Sequence, residues 1–165
     1  MRTADNEFNA HTYLKAAREH IGTVQVLLDA ERYVATFYLS GVAVECMLRA
    51  YYFRRNPVFD ARHDLLEIAR SAKFTQNMPD TLREQVTADL NDVALRWSNA
   101  HRYRSEAALR GFLNRAKLNR FGEGRTIRGS VVSYNASILV EAAVRVVDVG
   151  TKQWEKFNDN GHKPA

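Results

Sequence analysis

Apolar side chains recur at intervals of three and four residues along most of the chain, the spacing of one face of an α-helix. Leu14, Ala17, Ile21, Val24 and Leu28 keep this interval while Lys15, Arg18 and Glu19 fall off the stripe, which predicts a first helix over about 9–29. The next segment, about 33–55, is apolar nearly all round, with Thr36, Ser40, Glu45 and Arg49 as a thin polar seam and Asn56-Pro57 as its stop. Glu45 and Arg49 inside this stretch, and arginines at its end, favour a central helix of a bundle over a membrane span. A short helix is expected over about 62–72 on Leu65, Leu66, Ile68 and Ala69. Asn77-Met78-Pro79-Asp80 reads as a helix start. The helix it opens carries Leu82, Val86, Leu90, Val93, Trp97 and Ala100 at spacings of 4, 4, 3, 4 and 3. Ser105 opens a fifth, short helix through Leu109, Phe112 and Leu113. A loop over 119–129 contains three glycines, and a last helix over about 130–157 turns Ile138, Ala142, Val146 and Val149 inward.

No strand alternation and no internal repeat interrupts this pattern. Four long helices with one or two short ones predict an all-α fold, an antiparallel up-and-down bundle. The 165 residues suit one domain, expected over 8–157, with 158–165 as a frayed tail. The ten N-terminal residues have no apolar core and no cleavage pattern, so no signal peptide is expected. Cys46 is the one cysteine, which excludes a disulfide framework and a cysteine zinc site and fits a reducing cytoplasm. The five histidines show no ligand spacing, and neither a Glu-x-x-His nor a Gly-x-x-x-x-Gly-Lys motif occurs, so no metal and no cofactor is expected.

Charge changes the picture more than composition does. Between Arg96 and Arg128 nine basic residues face only Glu106 and Glu123, a net of +7. The remaining fifteen basic and seventeen acidic residues give −2. A one-sided basic field attracts polyanions, nucleic acid first among them, though a solvated basic face has the same composition. Arg102, Arg104, Arg110, Arg115, Lys117 and Arg120 are the candidate nucleic-acid contacts.

Within that segment stands Arg96-Trp-Ser-Asn-Ala-His101-Arg-Tyr103, in form Arg-x4-His-x-Tyr. A histidine exchanges protons near neutral pH, and an arginine offers a fixed fork of donors to phosphate. Together they suit metal-free RNA cleavage, the imidazole taking the 2′-hydroxyl proton and the guanidinium stabilising the phosphorane. Other readings stay open. Arg96 stands four residues after Asp92, the spacing of a helical ion pair, and His101 suits a helix C-terminus. On a continuous helix Arg96 and His101 lie about 140° apart. Either the helix breaks near Asn99-Ala100, or two copies of the segment meet across a two-fold dimer. Glu45, costly on a buried helix unless paired, either bonds Arg49 one turn on or orients Arg96 or His101. His63 reads as a helix-start residue.

Three segments in order, Tyr33 to Arg49 with its Ala-Val-Glu core, His63-Asp64-Leu65, and Arg96 to Tyr103, resemble the HEPN superfamily of small helical domains. The resemblance spans about 8–154. It implies a homodimer with two Arg-x-His motifs lining a basic cleft, and a metal-independent endoribonuclease. It is closest to a toxin branch of toxin–antitoxin and phage-defence pairs. There a nucleotidyltransferase antitoxin adenylylates (AMPylates) the tyrosine. Carried over, Arg96 and His101 match the catalytic pair, and Tyr103 the modified residue; Glu45 on the buried helix and Asn99 within that segment are supporting candidates by their own positions. The chain departs from the pattern in one place: Trp97 stands where active members often carry a polar residue, with Ser98 or Asn99 as the candidates to supply that group. The alternative within the same resemblance is a non-catalytic HEPN partner that binds a nucleotidyltransferase, a nucleotide or RNA.

Overall fold

A computed structural model describes residues 8–58, 61–121, 124–127 and 129–160, with the side chains of 159 and 160 left out. Among the described residues the fold is all-helical. The α-helices are α1 (Ala10–Asp29), α2 (Tyr33–Arg55), α3 (Leu65–Ser71), α4 (Asp80–Arg96), α5 (Glu106–Arg115) and α6 (Val131–Asn160). A 3-10 helix, Asn99–Tyr103, lies between α4 and α5. The Arg120–Thr126 pair in the loop before α6 forms an isolated antiparallel bridge, not a strand.

Short polar side chains start most of these elements by taking an orphan backbone N–H. Asn9 accepts from the amide of Thr12 at 2.9 Å, Asp64 from Glu67 at 3.0 Å, Ser105 from Ala108 at 3.2 Å and Ser130 from Ser133 at 3.1 Å. Asp64 thus caps a shorter α3 than the apolar pattern suggested, because Arg62 and His63 stand outside it. The last helix instead runs longer, through Asn160, so the expected tail from 158 begins as helix. Residues 161–165 lie outside the described residues.

The centre of the fold is α2, which packs against α1, α3, α6 and the 3-10 helix. A helix apolar all round has to be covered on every side. Phe37, Val44, Met47 and Leu48 are fully buried there, and they share one core with Ala17, Ile68, Val86, Val93, Leu109, Leu113, Leu139 and Val146. Buried polar groups on α2 are satisfied locally: Thr36 donates to the carbonyl of Arg32 and Ser40 to that of Thr36. Between α4 and α6, buried Asp89 accepts a forked pair of bonds from Arg145 at 2.7 and 3.1 Å. No helix among the described residues is long and apolar enough to cross a membrane.

One sequence expectation is corrected. The stripe through Leu82, Val86, Leu90, Val93, Trp97 and Ala100 does not lie on one helix. The helix α4 ends at Arg96, and Trp97 and Ser98 are extended, with ψ of 144° and 137°. Trp97 is still buried, but as an anchor beyond the helix end, and Ala100 is exposed. The cause is a stronger seat than the next helical position. The indole N–H of Trp97 donates to the carbonyl of Tyr38 at 3.1 Å, and its ring lies on the bare backbone of Gly41. A Cβ at position 41 would fall 1.9 Å from the ring, so only glycine leaves room for it. Ser98 then restarts the chain by capping the amide of Ala100.

Candidate functional site

The break after Arg96 decides the geometry of the Arg-x4-His-x-Tyr segment. It folds residues 99–103 back toward the end of α4. The ring of His101 then reaches the carbonyl of Arg96, with Nε2 2.8 Å from that oxygen. A carbonyl only accepts, so Nε2 carries the proton and donates it. Nδ1 is left as the acceptor, and Arg104 Nη1 donates to it at 2.6 Å. The rings of Phe37 and Phe112 stand edge-on to the imidazole at 5.7 and 4.9 Å, and His101 has no exposed surface. Burial is the largest cause that lowers its pKa, to about 4; the bond to Arg96 works the other way, and the positive charge of Arg104 lowers it further. At neutral pH the residue is an uncharged, doubly hydrogen-bonded link between α4, α2 and α5.

Arg96 is engaged in the same manner. It is 7% exposed, its Nε donates to Asn135 Oδ1 at 3.0 Å, and its Nη1 donates to the Asp92 carboxylate at 2.7 Å and the Asp92 carbonyl at 3.1 Å. The i, i+4 pair with Asp92 is therefore formed. Asn135 was missed by sequence reasoning. Its amide also donates to the carbonyls of Leu118 and Val131, so it ties α6 and the loop before it to the end of α4. The signal was present: a lone amide among Val132, Ala136 and Leu139 on the inward face of α6.

Within one chain the side chains of Arg96 and His101 thus meet separate partners, and the His101 ring contacts the Arg96 backbone. For His101 to take a proton from a ribose hydroxyl, Nδ1 would have to give up Arg104 and leave its apolar seat. Tyr103 is placed oppositely. It is 79% exposed, with the guanidinium of Arg102 4.7 Å from its ring centre. Asn99 is half-buried at the start of the 3-10 helix.

Glu45 stands apart from this segment. It accepts from Arg49 Nε at 2.7 Å, and both its oxygens lie 3.0–3.1 Å from Nδ1 of His63. A carboxylate only accepts, so Nδ1 of His63 is its donor, on a half-exposed ring. Arg49 also donates to the carbonyl of Arg62 at 2.5 Å, so the trio fastens the α2–α3 connection to α2. The intrahelical pairing expected for Glu45 is present, and the proposed orientation of Arg96 or His101 by this carboxylate is not. Cys46 beside it is half-buried, and burial, then the Glu45 charge, pushes its thiol up to about 11, an unreactive value.

The basic residues divide by exposure. Arg102, Arg110, Arg115, Lys117 and Arg120 are exposed, whereas Arg104 is half-buried on His101 and over the ring of Phe112. Among the described residues only Arg110 of these six has a carboxylate partner, Glu106 at 3.6 Å. The helix α5 turns Leu109 and Leu113 to the core and its remaining face outward. Beside it, a cleft of about 580 Å³ opens between the α1–α2 turn and the 3-10 helix. Tyr33, Tyr38, Arg32 and Arg102 line it, with Glu31 and Glu106. Arg125 is exposed as well, and Arg128 and Glu123 lie outside the described residues. No group of three or more His, Cys, Asp and Glu side chains among the described residues is placed to hold a metal ion. No protein-family model matches the chain, and no curated protein and no solved structure is significantly similar to it.

Proposed function

We propose that the chain is a HEPN-like antiparallel bundle that binds RNA on its α5 face and performs no cleavage of its own. The observation that carries this reading is the set of exposed cations Arg102, Arg115, Lys117 and Arg120 on one continuous segment, none of them in an ion pair among the described residues. Cations that form no ion pair are those able to displace the counterions of a phosphate backbone. The tyrosine-lined cleft that Arg102 borders supplies aromatic faces on which an unpaired base can stack, which favours single-stranded RNA. The place of His101 supports the absence of chemistry, since both ring nitrogens are committed and the ring is fully covered.

A second reading has one observation in its favour. The exposure of Tyr103 is what an adenylylated residue needs, so a ribonuclease toxin silenced at Tyr103 by a partner nucleotidyltransferase fits that side chain. In that reading two copies of the chain form the cleft.

Fluorescence anisotropy with a labelled single-stranded RNA separates the two. Log K is expected to fall linearly with log salt, with a slope of about −0.7 per phosphate neutralised. Exchanging Arg115, Lys117 and Arg120 together for Gln is expected to shrink that slope by about 2 and weaken binding more than tenfold at low salt. The RNA should be recovered intact. Absence of salt-dependent binding, or a triple variant that binds like wild type, sinks the proposal. Cleavage to 2′,3′-cyclic phosphate ends, untouched by EDTA and lost in both Arg96→Ala and His101→Ala, would establish the toxin reading instead.

A further inference from the structure

A second cluster of cations gathers about 25 Å further along α2 from the contact between Phe37 and His101. There the end of α2, the turn after α3 and the last turns of α6 enclose a cavity of about 270 Å³. Its charged lining among the described residues is Arg54, Arg55 and Lys73, with the amides of Asn77 and Gln153 beside them and no carboxylate. Its walls are the rings of Tyr51, Phe74 and Phe157.

The arrangement is built rather than incidental. Tyr51 spends its hydroxyl on the carbonyl of Gly150 at 2.6 Å and stands edge-on to Phe74 and Trp154, so its ring is fixed as a wall. The Arg54 guanidinium lies 4.8 Å from the Trp154 ring centre and 5.4 Å from that of Phe157. A guanidinium held by its flat face keeps the donors around its edge for a ligand and loses little freedom on binding one. Arg55 makes one long bond, 3.4 Å, to Gln76. None of Arg54, Arg55 and Lys73 has an ion-pair partner among the described residues. Arg54 and Arg55 also suit the C-terminal dipole of α2. That accounts for two cations on one helix, but not for Lys73, which a separate element brings to the same cavity.

Three converging positive charges exceed what one carboxylate neutralises. They match a ligand that carries two or more negative charges on a compact, oxygen-rich group. Two arginine forks and a lysine point charge are the donor set suited to phosphate oxygens. We infer that this cavity is an anion site for a diphosphate group, free or carried on a small molecule. The site is separate from the α5 face and does not depend on the reading given to it.

Titration calorimetry of the full chain in low salt tests this with inorganic pyrophosphate and, in a parallel arm, with ADP. Binding of pyrophosphate alone assigns the free anion, and binding of ADP assigns a diphosphate carried on an organic group. In either case the Kd is expected to rise at least tenfold in Arg54→Gln and in Lys73→Asn. Asn suits the left-handed backbone of that position, φ 50°, so this variant keeps the turn even where loss of the Arg54 stack disturbs α6. Arg115→Gln, on the α5 face, should bind as wild type does. No heat with either probe overturns the site. A loss of equal size in Arg115→Gln also overturns it, because the anion would then be reading total charge and not this cavity.

Discussion

Glu45→Ala is expected to lower the unfolding free energy by about 3–5 kcal/mol, the cost of removing one partner from a buried ion pair. Arg49 is 4% exposed, and the substitution takes away the carboxylate that its Nε meets at 2.7 Å. His63 loses the acceptor of its Nδ1 in the same step, and with it the tie between the α2–α3 connection and α2. The size of the loss comes from taking the Glu45 carboxylate away from a buried guanidinium, not from the worth of the intact pair. Glu45→Ala with Arg49→Met is therefore expected to recover most of the stability, since the charge leaves with its partner. Urea unfolding followed by circular dichroism measures both. A single variant within 1 kcal/mol of wild type, or a double variant worse than the single, contradicts this account.

That trio also shows what a sequence can disclose. Arg49 is one helical turn from Glu45, so their pairing is legible in the spacing. His63 is eighteen residues away and arrives only because α3 folds against α2, which no local pattern states. The same division runs through the fold. The limits of α1 and α2 were readable within a residue or so, because periodicity and an Asn-Pro stop agree there. The end of α4 was readable only as one of two alternatives, a break near Asn99-Ala100, because Trp97 continues the apolar stripe that a helix would have needed. What overrides the stripe is tertiary: a carbonyl on Tyr38 for the indole N–H, and the missing side chain of Gly41. Ser98, a cap-forming residue inside an apparent helix, was the local sign of the break.

The break has consequences for the candidate site that chemistry by residue type did not convey. Arg, His and Tyr in a basic segment were legible as a constellation, and their exposure was not. The chain buries Arg96 and His101 and turns Tyr103 outward. Asn135 completes the Arg96 environment from a helix thirty-nine residues further on. The six basic residues of the segment differ in the same way, with Arg104 held on the His101 ring while Arg102, Arg115, Lys117 and Arg120 are exposed and form no ion pair with a carboxylate among the described residues.

His101 gives the fold an acid sensitivity of its own. The ring has a pKa of about 4 in the folded chain against about 6.5 when unfolded, so folding favours the neutral form. Above pH 6.5 neither state holds the proton, and the contribution to stability is fully present. As the pH falls from 6.5 toward 4, the unfolded chain binds a proton that the folded chain refuses, and stability drains away. The loss from this one residue is expected to reach about 3 kcal/mol by pH 4, taking 1.36 kcal/mol per pKa unit. Below pH 4 the folded ring protonates too and the loss from this group stops growing. The cause is geometric: a second proton on the ring would aim an N–H at the donating Arg104 inside a shell of Phe37 and Phe112. Gln at this position cannot titrate and keeps a donor toward the Arg96 carbonyl. Denaturation at pH 7.0 and 4.5 is therefore expected to show a smaller loss in His101→Gln than in wild type, with the carboxylate contribution common to both. The proton signals of the imidazole supply an independent measure in the wild-type chain. They should stay unchanged between pH 7 and pH 5.5, and a midpoint near 6.5 would show instead a ring open to solvent, free to serve as a base.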